Sequence, residues 1–138
     1  MDVVARFNEA FNRHDIDAVM GMMTDDVVFE NTSGRRFEGQ QSVRAVLVRA
    51  FELMHSGGFE TEKTIELDDH AVVLWSYTFD KQKPQHGHIR GVDIFQIRGG
   101  RVAAKHSYIK SEDFVLRLGL QVRAPDVGPG RPLSSGGE

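Results

Sequence analysis

The 138-residue chain contains no cysteine. This absence excludes disulfide scaffolds, thiolate metal sites and cysteine nucleophiles together. The chain also has no excess of basic residues, because 17 lysines and arginines stand against 20 acidic residues, which gives a net charge of −3. Such a chain creates no positive field toward phosphate backbones, so nucleic acid is not an expected partner.

Long hydrophobic runs are missing as well. No apolar stretch approaches the roughly 18 residues that span a bilayer, and the opening residues lack the basic and apolar regions of a signal peptide. We therefore expect a soluble, cytoplasmic protein without a membrane partner.

Several short motifs of enzyme active sites are also absent. The chain has no phosphate-binding glycine loop, no G-x-S-x-G elbow and no H-E-x-x-H motif, which argues against nucleotide enzymes, serine hydrolases and zincins. His86 and His88 could form two arms of a metal site, but no third ligand can be placed beside them. We therefore predict no metal and no cofactor.

The residues that are present fit one folded domain. Hydrophobic residues make up 40% of the chain and charged residues 27%, which is ordinary for a globular protein. Three of the four prolines follow residue 123, together with several glycines. We predict a domain over residues 1–123 and a Pro/Gly-rich tail over residues 124–138.

Apolar spacing in the first half is mostly helical. It predicts a first helix over residues 3–13 and a second, short helix capped by Asp15. A turn at residues 24–26 and a short strand over residues 27–30 should follow. A strongly amphipathic pattern then predicts a longer helix over residues 40–55.

In the second half the apolar period changes from 3.6 to 2. The short connections between segments predict antiparallel pairing of consecutive strands. Helices first and a meander second is the α+β layout, so we expect three N-terminal helices packed on a bent antiparallel sheet that encloses a pocket. The predicted strands cover residues 59–67, 71–79, 86–97 and 102–109, and a last short helix covers residues 111–118.

Three segments carry a resemblance to a known family. They are residues 7–15 (FNEAFNRHD), residues 29–31 (FEN) and residues 91–102 (GVDIFQIRGGRV). Together with the order of elements, they resemble the nuclear transport factor 2-like cone fold over residues 2 to about 120. Within that superfamily the chain is similar to SnoaL-like polyketide cyclases, ketosteroid isomerases and limonene-type epoxide hydrolases. The resemblance implies the fold more strongly than the reaction, because this fold hosts several unrelated activities.

Asp93 is the most informative position in the sequence. It lies in the middle of an apolar strand segment, where a carboxylate is costly unless it is paired or protonated. One interpretation is a structural ion pair or a backbone-bonded aspartate. The resemblance implies another, because the matching position of the similar families faces the cavity, and ketosteroid isomerases place there an acid that donates a hydrogen bond to a substrate oxygen. We predict that Asp93 is the catalytic carboxylate.

The hairpin at Gly99-Gly100 decides which residue lies opposite Asp93. A three-residue loop places Lys105 opposite Asp93, whereas a two-residue turn places His106 there and would form an Asp-His pair able to move protons. Both turns suit Gly-Gly. The resemblance favours the first register, because cyclases and epoxide hydrolases carry a cavity-side aspartate at the position of Ser107.

The sequence also departs from the similar families. The general base of the ketosteroid isomerases would fall at Asn31 and their oxyanion tyrosine at Phe7, and neither residue can do that work. Asn31 also matches the water-positioning asparagine of the epoxide hydrolases, although an ordinary turn residue is an equal interpretation. The Asp-Arg-Asp triad of those hydrolases is missing, and its places are taken by Ser76 or Tyr77, by Thr78 and by Ser107.

The strand over residues 71–79 has two faces that could each line the pocket. Val73, Trp75 and Tyr77 alternate on one face, with Leu74 and Ser76 on the other. The isomerases imply that Trp75 points inward, and the epoxide hydrolases imply Ser76. The sequence leaves this choice open.

The predicted function is a small cofactor-free enzyme of the SnoaL-like group. It would act by acid/base proton transfer, as isomerisation, dehydration or cyclisation, on a hydrophobic oxygen-bearing metabolite. One alternative is a non-catalytic small-molecule-binding or interaction module with the same cavity, and a second is an epoxide hydrolase-like enzyme. A homodimer through the sheet is expected, since the outward face would otherwise expose apolar rows. The predicted substrate-binding residues are Phe7, Phe11, Met23, Phe29, Asn31, Phe51, Met54, Trp75, Lys105 and Ser107.

Overall fold

The computed structural model describes residues 2–54, 57–79, 82 and 88–110. Three helices precede most of a six-stranded sheet, as expected for the α+β class. The helices are α1 (Asp2–Asn12), α2 (Ile16–Gly21) and α3 (Gln40–Leu53), and the strands are β1 (Met23–Glu30), β2 (Arg36–Glu38), β3 (Gly58–Glu66), β4 (His70–Thr78), β5 (His88–Arg98) and β6 (Arg101–Lys110).

The helices form where their apolar spacing predicts them. The carboxylate of Asp15 accepts a hydrogen bond from the backbone N–H of Ala18 at 3.1 Å, which confirms the predicted cap of α2. At the start of α3, the side-chain amide of Gln40 lies within hydrogen-bond distance of three backbone carbonyls, one in α2 and two in β1. The helices bury one apolar face each, formed in α1 by Val3, Val4, Phe7, Ala10 and Phe11 and in α3 by Val43, Leu47 and Phe51.

The sheet order is β2-β1-β6-β5-β4-β3. Strands β3 to β6 form the predicted antiparallel meander, while β1 pairs with β6 in parallel. The predicted turn at residues 24–26 is wrong, because β1 begins at Met23. There, the N–H of Val102 donates to the carbonyl of Met22 at 2.7 Å, and Met23 pairs with Val102. These backbone contacts outweigh the turn preference of the two exposed aspartates that follow.

Alternation along β4 defines two faces of the sheet. Ala71, Val73, Trp75 and Tyr77 are buried, and we call their side of the sheet the inner face. The residues between them are only partly buried and lie on the outer face. Trp75 therefore points inward, which resolves the choice that the sequence leaves open.

The hairpin between β5 and β6 combines a two-residue turn with a bulge. Gly99 and Gly100 both have positive φ angles, 61° and 77°, as a tight turn of this kind requires. The register then shifts by one residue at Ala103, so that Asp93 lies opposite Ser107. The predicted two-residue turn is confirmed, because Arg98 pairs with Arg101 and Ile97 with Val102, but both predictions of the residue opposite Asp93 are wrong because of the bulge.

Parts of the predicted organisation lie outside the described residues. These are the last helix over residues 111–118, the tail over residues 124–138 and the first residues of the strand expected over residues 86–97. Within the described residues, no helix is both long and apolar enough to cross a membrane.

Candidate functional site

A buried ion pair lies on the inner face. The ammonium of Lys105 is 3.3 Å from Oδ2 of Asp93, and the two side chains are only 7% and 9% exposed. Lys105 also donates a hydrogen bond to the hydroxyl of Ser107 at 3.1 Å. The bulge makes this arrangement possible, because Lys105 and Ser107 remain on the face of Asp93 and the ion pair runs diagonally between β5 and β6.

Aromatic rings surround the ammonium group. Its nitrogen lies 5.2 Å from the ring centre of Phe11, 5.0 Å from Phe29 and 5.9 Å from Phe95. Ring faces are negative and attract a cation, most strongly where water is excluded. The rings and Asp93 together make a charged lysine tolerable inside the sheet.

A small cavity of about 30 Å³ borders this ion pair. Two of the residues that line it each carry a buried polar atom with no hydrogen-bond partner among the described residues, namely Oδ1 of Asp93 and Nε1 of Trp75. A buried polar atom without a partner carries an energetic penalty, so each such atom needs an explanation. The cavity is lined by Asn8, Phe11, Asn12, Phe59, Thr61, Val73, Trp75, Asp93 and Lys105.

A wider groove of about 330 Å³ runs between α1 and β3. It shares Asn8, Asn12 and Thr61 with the small cavity. The side chain of Asn12 joins the two elements, because its amide donates to the carbonyl of Phe59 and accepts from the N–H of Phe59, both at 2.9 Å. The first helix therefore borders both spaces.

The structure brings some of the predicted site residues together. Asp93, Lys105, Trp75 and Phe11 line the cavity, and Ser107 and Phe29 contact Lys105. Of the remaining apolar residues, Phe7, Met23 and Phe51 belong to the core without lining this cavity, and Met54 is partly buried against that core.

Asn31 does not join this group. Its side-chain oxygen accepts hydrogen bonds from the N–H and hydroxyl of Ser33 and from the N–H of Arg35, at 2.7–3.1 Å. These contacts hold the turn between β1 and β2, so the structure assigns Asn31 the turn interpretation.

Five cavity residues were not predicted from the sequence. Asn8 and Asn12 are one helical turn apart at the border of the apolar face of α1, a spacing that could have indicated a polar rim. Phe59 and Thr61 alternate on the inner face of β3, and Val73 is two residues before Trp75. These three residues could be assigned to the cavity only by knowing which face of β4 points inward, and the sequence leaves that choice open.

His106 lies on the outer face, where its Nδ1 is 3.0 Å from a carboxylate oxygen of Glu30. The Asp-His pair of the second register is therefore not formed. Ser76 and Thr78 also lie outside, away from the cavity, and so do not replace an epoxide hydrolase triad. On the inner face, burial raises the pKa of the Tyr77 phenol, so this group stays protonated at neutral pH. Among the described residues, no three histidine, aspartate or glutamate side chains meet as metal ligands would.

Solved structures show the same fold. An NTF2-like protein of unknown function from Mesorhizobium loti is 26% identical, with a TM-score of 0.67 over 80% of this chain and 89% of that one. A candidate polyketide cyclase from Sinorhizobium meliloti is 22% identical, with a TM-score of 0.67 over 78% and 94%. A candidate ketosteroid isomerase from Kribbella flavida is 12% identical, with a TM-score of 0.66 over 80% and 76%.

No curated protein matches the chain at a significant level. The family model of the SnoaL-like domain matches residues 4–105, which is most of the chain and includes most of α1, the residues that line the cavity and both members of the ion pair. The chain therefore belongs to the SnoaL-like domain family, and its fold is that of the nuclear transport factor 2-like proteins.

Proposed function

We propose that this protein is a cofactor-free enzyme that transfers protons on a hydrophobic, oxygen-bearing metabolite, by isomerisation, dehydration or cyclisation. The observation that carries the proposal is the cavity-facing ion pair of Asp93 and Lys105, with one carboxylate oxygen left without a partner. The names of two structural neighbours, a candidate polyketide cyclase and a candidate ketosteroid isomerase, agree with this reaction class.

The two carboxylate oxygens of Asp93 have different roles in the proposed reaction. Oδ2 is held by Lys105, which fixes the carboxylate in place, while Oδ1 is free to accept a proton from a bound molecule. When Asp93 takes that proton, the electron pair of the broken bond remains on the substrate, and the N–H of Trp75 is a buried donor that can stabilise the charge. The proton then returns from Asp93 to a different atom of the substrate.

A panel of enones, epoxides and polyketide-like esters tests the proposal by turnover. We expect Asp93→Asn to lower turnover of any active compound by about a hundredfold or more, because the amide cannot accept the proton. Glu30→Gln removes a carboxylate from the outer face and is the matched control that should keep wild-type turnover. Wild-type rates in folded Asp93→Asn protein would refute the role of Asp93.

A ligand-binding module without turnover is the second candidate function. It is favoured by the loss of the catalytic residues of the similar families, since Asn31 and Phe7 stand where the ketosteroid isomerases have their base and tyrosine, and Ser107 stands where cyclases and epoxide hydrolases have an aspartate. Saturable binding of a compound that is recovered unchanged after long incubation would support this candidate over the enzyme.

We also propose that the protein is a homodimer through the outer face. Apolar side chains from β3, β4, β5 and β6 lie there, including Ile65 at 41% and Tyr108 at 55% exposure. Light scattering should give a dimer mass at micromolar concentration, and Leu74→Lys on this face should reduce it to the monomer mass. A monomeric wild type at that concentration would contradict the proposal.

A further inference from the structure

Two residues that line the cavity, Asp93 and Trp75, each carry an unpartnered buried polar atom, and the two atoms have opposite hydrogen-bonding character. Oδ1 of Asp93 can only accept from a ligand when the carboxylate is ionised, and Nε1 of Trp75 can only donate. Both are buried within the described part of the chain, and both residues line the same space of about 30 Å³. Leaving either atom unpaired when a ligand binds would weaken that complex.

The charge state of Asp93 follows from its partner. Its Oδ2 lies 3.3 Å from the ammonium of Lys105, and Lys105 is itself held by Ser107 and three aromatic rings. A carboxylate in this position is an acceptor at both oxygens. The group that meets Oδ1 must therefore bring a hydrogen, while the group that meets Trp75 must bring a lone pair.

A hydroxyl group meets both requirements at once. It donates its hydrogen to one neighbour and accepts from another, whereas a ketone or an ether can only accept. The cavity volume of about 30 Å³ exceeds the roughly 10–15 Å³ that one water molecule needs and is far below the roughly 300–1,000 Å³ of drug-sized ligand sites, so it has room for a hydroxyl but not for a ring.

We infer that the ligands of this site are alcohols, phenols or enols whose hydroxyl donates to Oδ1 of Asp93 and accepts from Nε1 of Trp75. The remainder of the ligand lies in the groove between α1 and β3, whose volume of about 330 Å³ accommodates a six-membered ring. It enters between Asn8, Asn12 and Thr61, the residues that the two spaces share. The inference rests on the proposed function in taking this cavity as the ligand site, and it restricts the substrate class to hydroxyl-bearing molecules.

Trp75 makes the inference directly measurable. It is the only tryptophan in the chain, so the spectrum of the ¹⁵N-labelled protein contains a single indole N–H signal. Cyclohexanol, cyclohexanone and methoxycyclohexane form a matched set of alcohol, ketone and ether with the same ring. Titration with cyclohexanol should move the indole signal downfield in a saturable way, and its affinity should exceed that of the other two by about fivefold or more.

Two variants separate the two contacts. Trp75→Phe keeps an aromatic ring but removes the hydrogen-bond donor, so it should lower the binding affinity for the alcohol and for the ketone to a similar extent. The higher affinity for the alcohol than for the ether should remain. Asp93→Leu combined with Lys105→Met removes both charges and the acceptor oxygen together, so that no charge is left unpaired in the core. This double variant should bind the alcohol no better than the ketone.

Equal affinity for the three compounds, no binding of any of them up to their solubility limits, or an unmoved indole signal at saturating cyclohexanol would overturn the inference. Its failure is distinguishable from that of the proposed enzyme. Turnover of a panel compound without any hydroxyl preference contradicts only the inference, while a clear hydroxyl preference without turnover of any compound contradicts only the enzymatic activity.

Discussion

Lys105 and His106 are neighbours in the chain, yet they occupy opposite environments. Lys105 points to the inner face and pairs with Asp93, where both side chains are less than a tenth exposed. His106 points to the outer face and pairs with Glu30, where the exposures are 31% and 27%. Two side-chain pairs one residue apart thus differ mainly in their access to water.

The difference shows what each pair can contribute. Inside the sheet, neither charge has water to replace a lost partner, so the pair must stay intact or be replaced as a whole. On the outer face, water weakens the electrostatic interaction and solvates either group when the other is removed. The loss of one partner of the inner pair should therefore destabilise the fold strongly. The outer pair should contribute little to stability.

The largest effect is expected from breaking the inner pair on one side only. Lys105→Met should lower the free energy of unfolding by about 3–5 kcal/mol, because it leaves the carboxylate of Asp93 buried without a cation. Denaturant unfolding measures this change. The double variant with Asp93→Asn should recover much of the loss, and a Lys105→Met protein as stable as the wild type would show that the inner face is far wetter than its burial indicates.

The second prediction concerns the packing of Trp75 on the inner face. A Cβ atom at Gly91 would overlap the Trp75 ring and the carbonyl of Tyr108 more closely than real Cβ contacts allow. Gly91→Ala should therefore cost about 1–3 kcal/mol and shift the fluorescence of Trp75. Gly21→Ala is the control, because a Cβ there meets nothing within 4 Å, and it should leave both stability and fluorescence nearly unchanged.

The third prediction tests the outer pair. Glu30→Gln removes the charge of Glu30 but keeps an oxygen that can bond His106, so the free energy of unfolding should fall by less than about 1 kcal/mol. The same denaturant experiment as for Lys105→Met gives the comparison. A loss as large as that of the inner variant would mean that the outer face is covered in solution, for example by the second subunit proposed above.

The sequence predicts which residues share a face of the sheet better than it predicts which residues are in contact. The alternation along β4 separates Trp75 from Ser76, but both faces carry large apolar side chains, so periodicity alone cannot identify the inner one. Similarly, Gly99-Gly100 indicates a tight turn, but no distinctive residue at Ala103 indicates the bulge. The burial of Asp93 was predictable because a mid-strand carboxylate among apolar residues has few ways to be satisfied.

Other features depend on contacts between distant segments. The parallel pairing of β1 with β6 joins residues about 75 positions apart, and nothing local in either strand specifies it. The cavity residues of β3, Phe59 and Thr61, can be identified only from the pairing of β3 with β4, which places them on the face of Trp75. For Asn31, the turn sequence itself was informative, and the similarity to other families pointed to the wrong surroundings.

The smallest effect is expected at an exposed carboxylate near the end of the sheet. Asp26 accepts a hydrogen bond from the hydroxyl of Thr24 at 2.9 Å and pairs with Arg98. The Thr24 hydrogen bond, followed by the contact with Arg98, lowers the pKa of Asp26 from its usual value of 3.8. Because the folded-state pKa is the lower one, the contribution to stability is present above about pH 4 and is lost as the pH falls through the folded-state pKa.

Melting temperatures between pH 2 and pH 7 test this linkage. Asp26→Asn should melt slightly below the wild type at neutral pH, and the two curves should converge as the pH falls below 3.8, because the wild-type carboxyl then becomes neutral as well. Asp25→Asn, which removes the same charge one residue earlier in β1, corrects for the change in net charge. A difference that widens toward low pH would contradict the prediction, since a lowered pKa can only withdraw stability as protons are added.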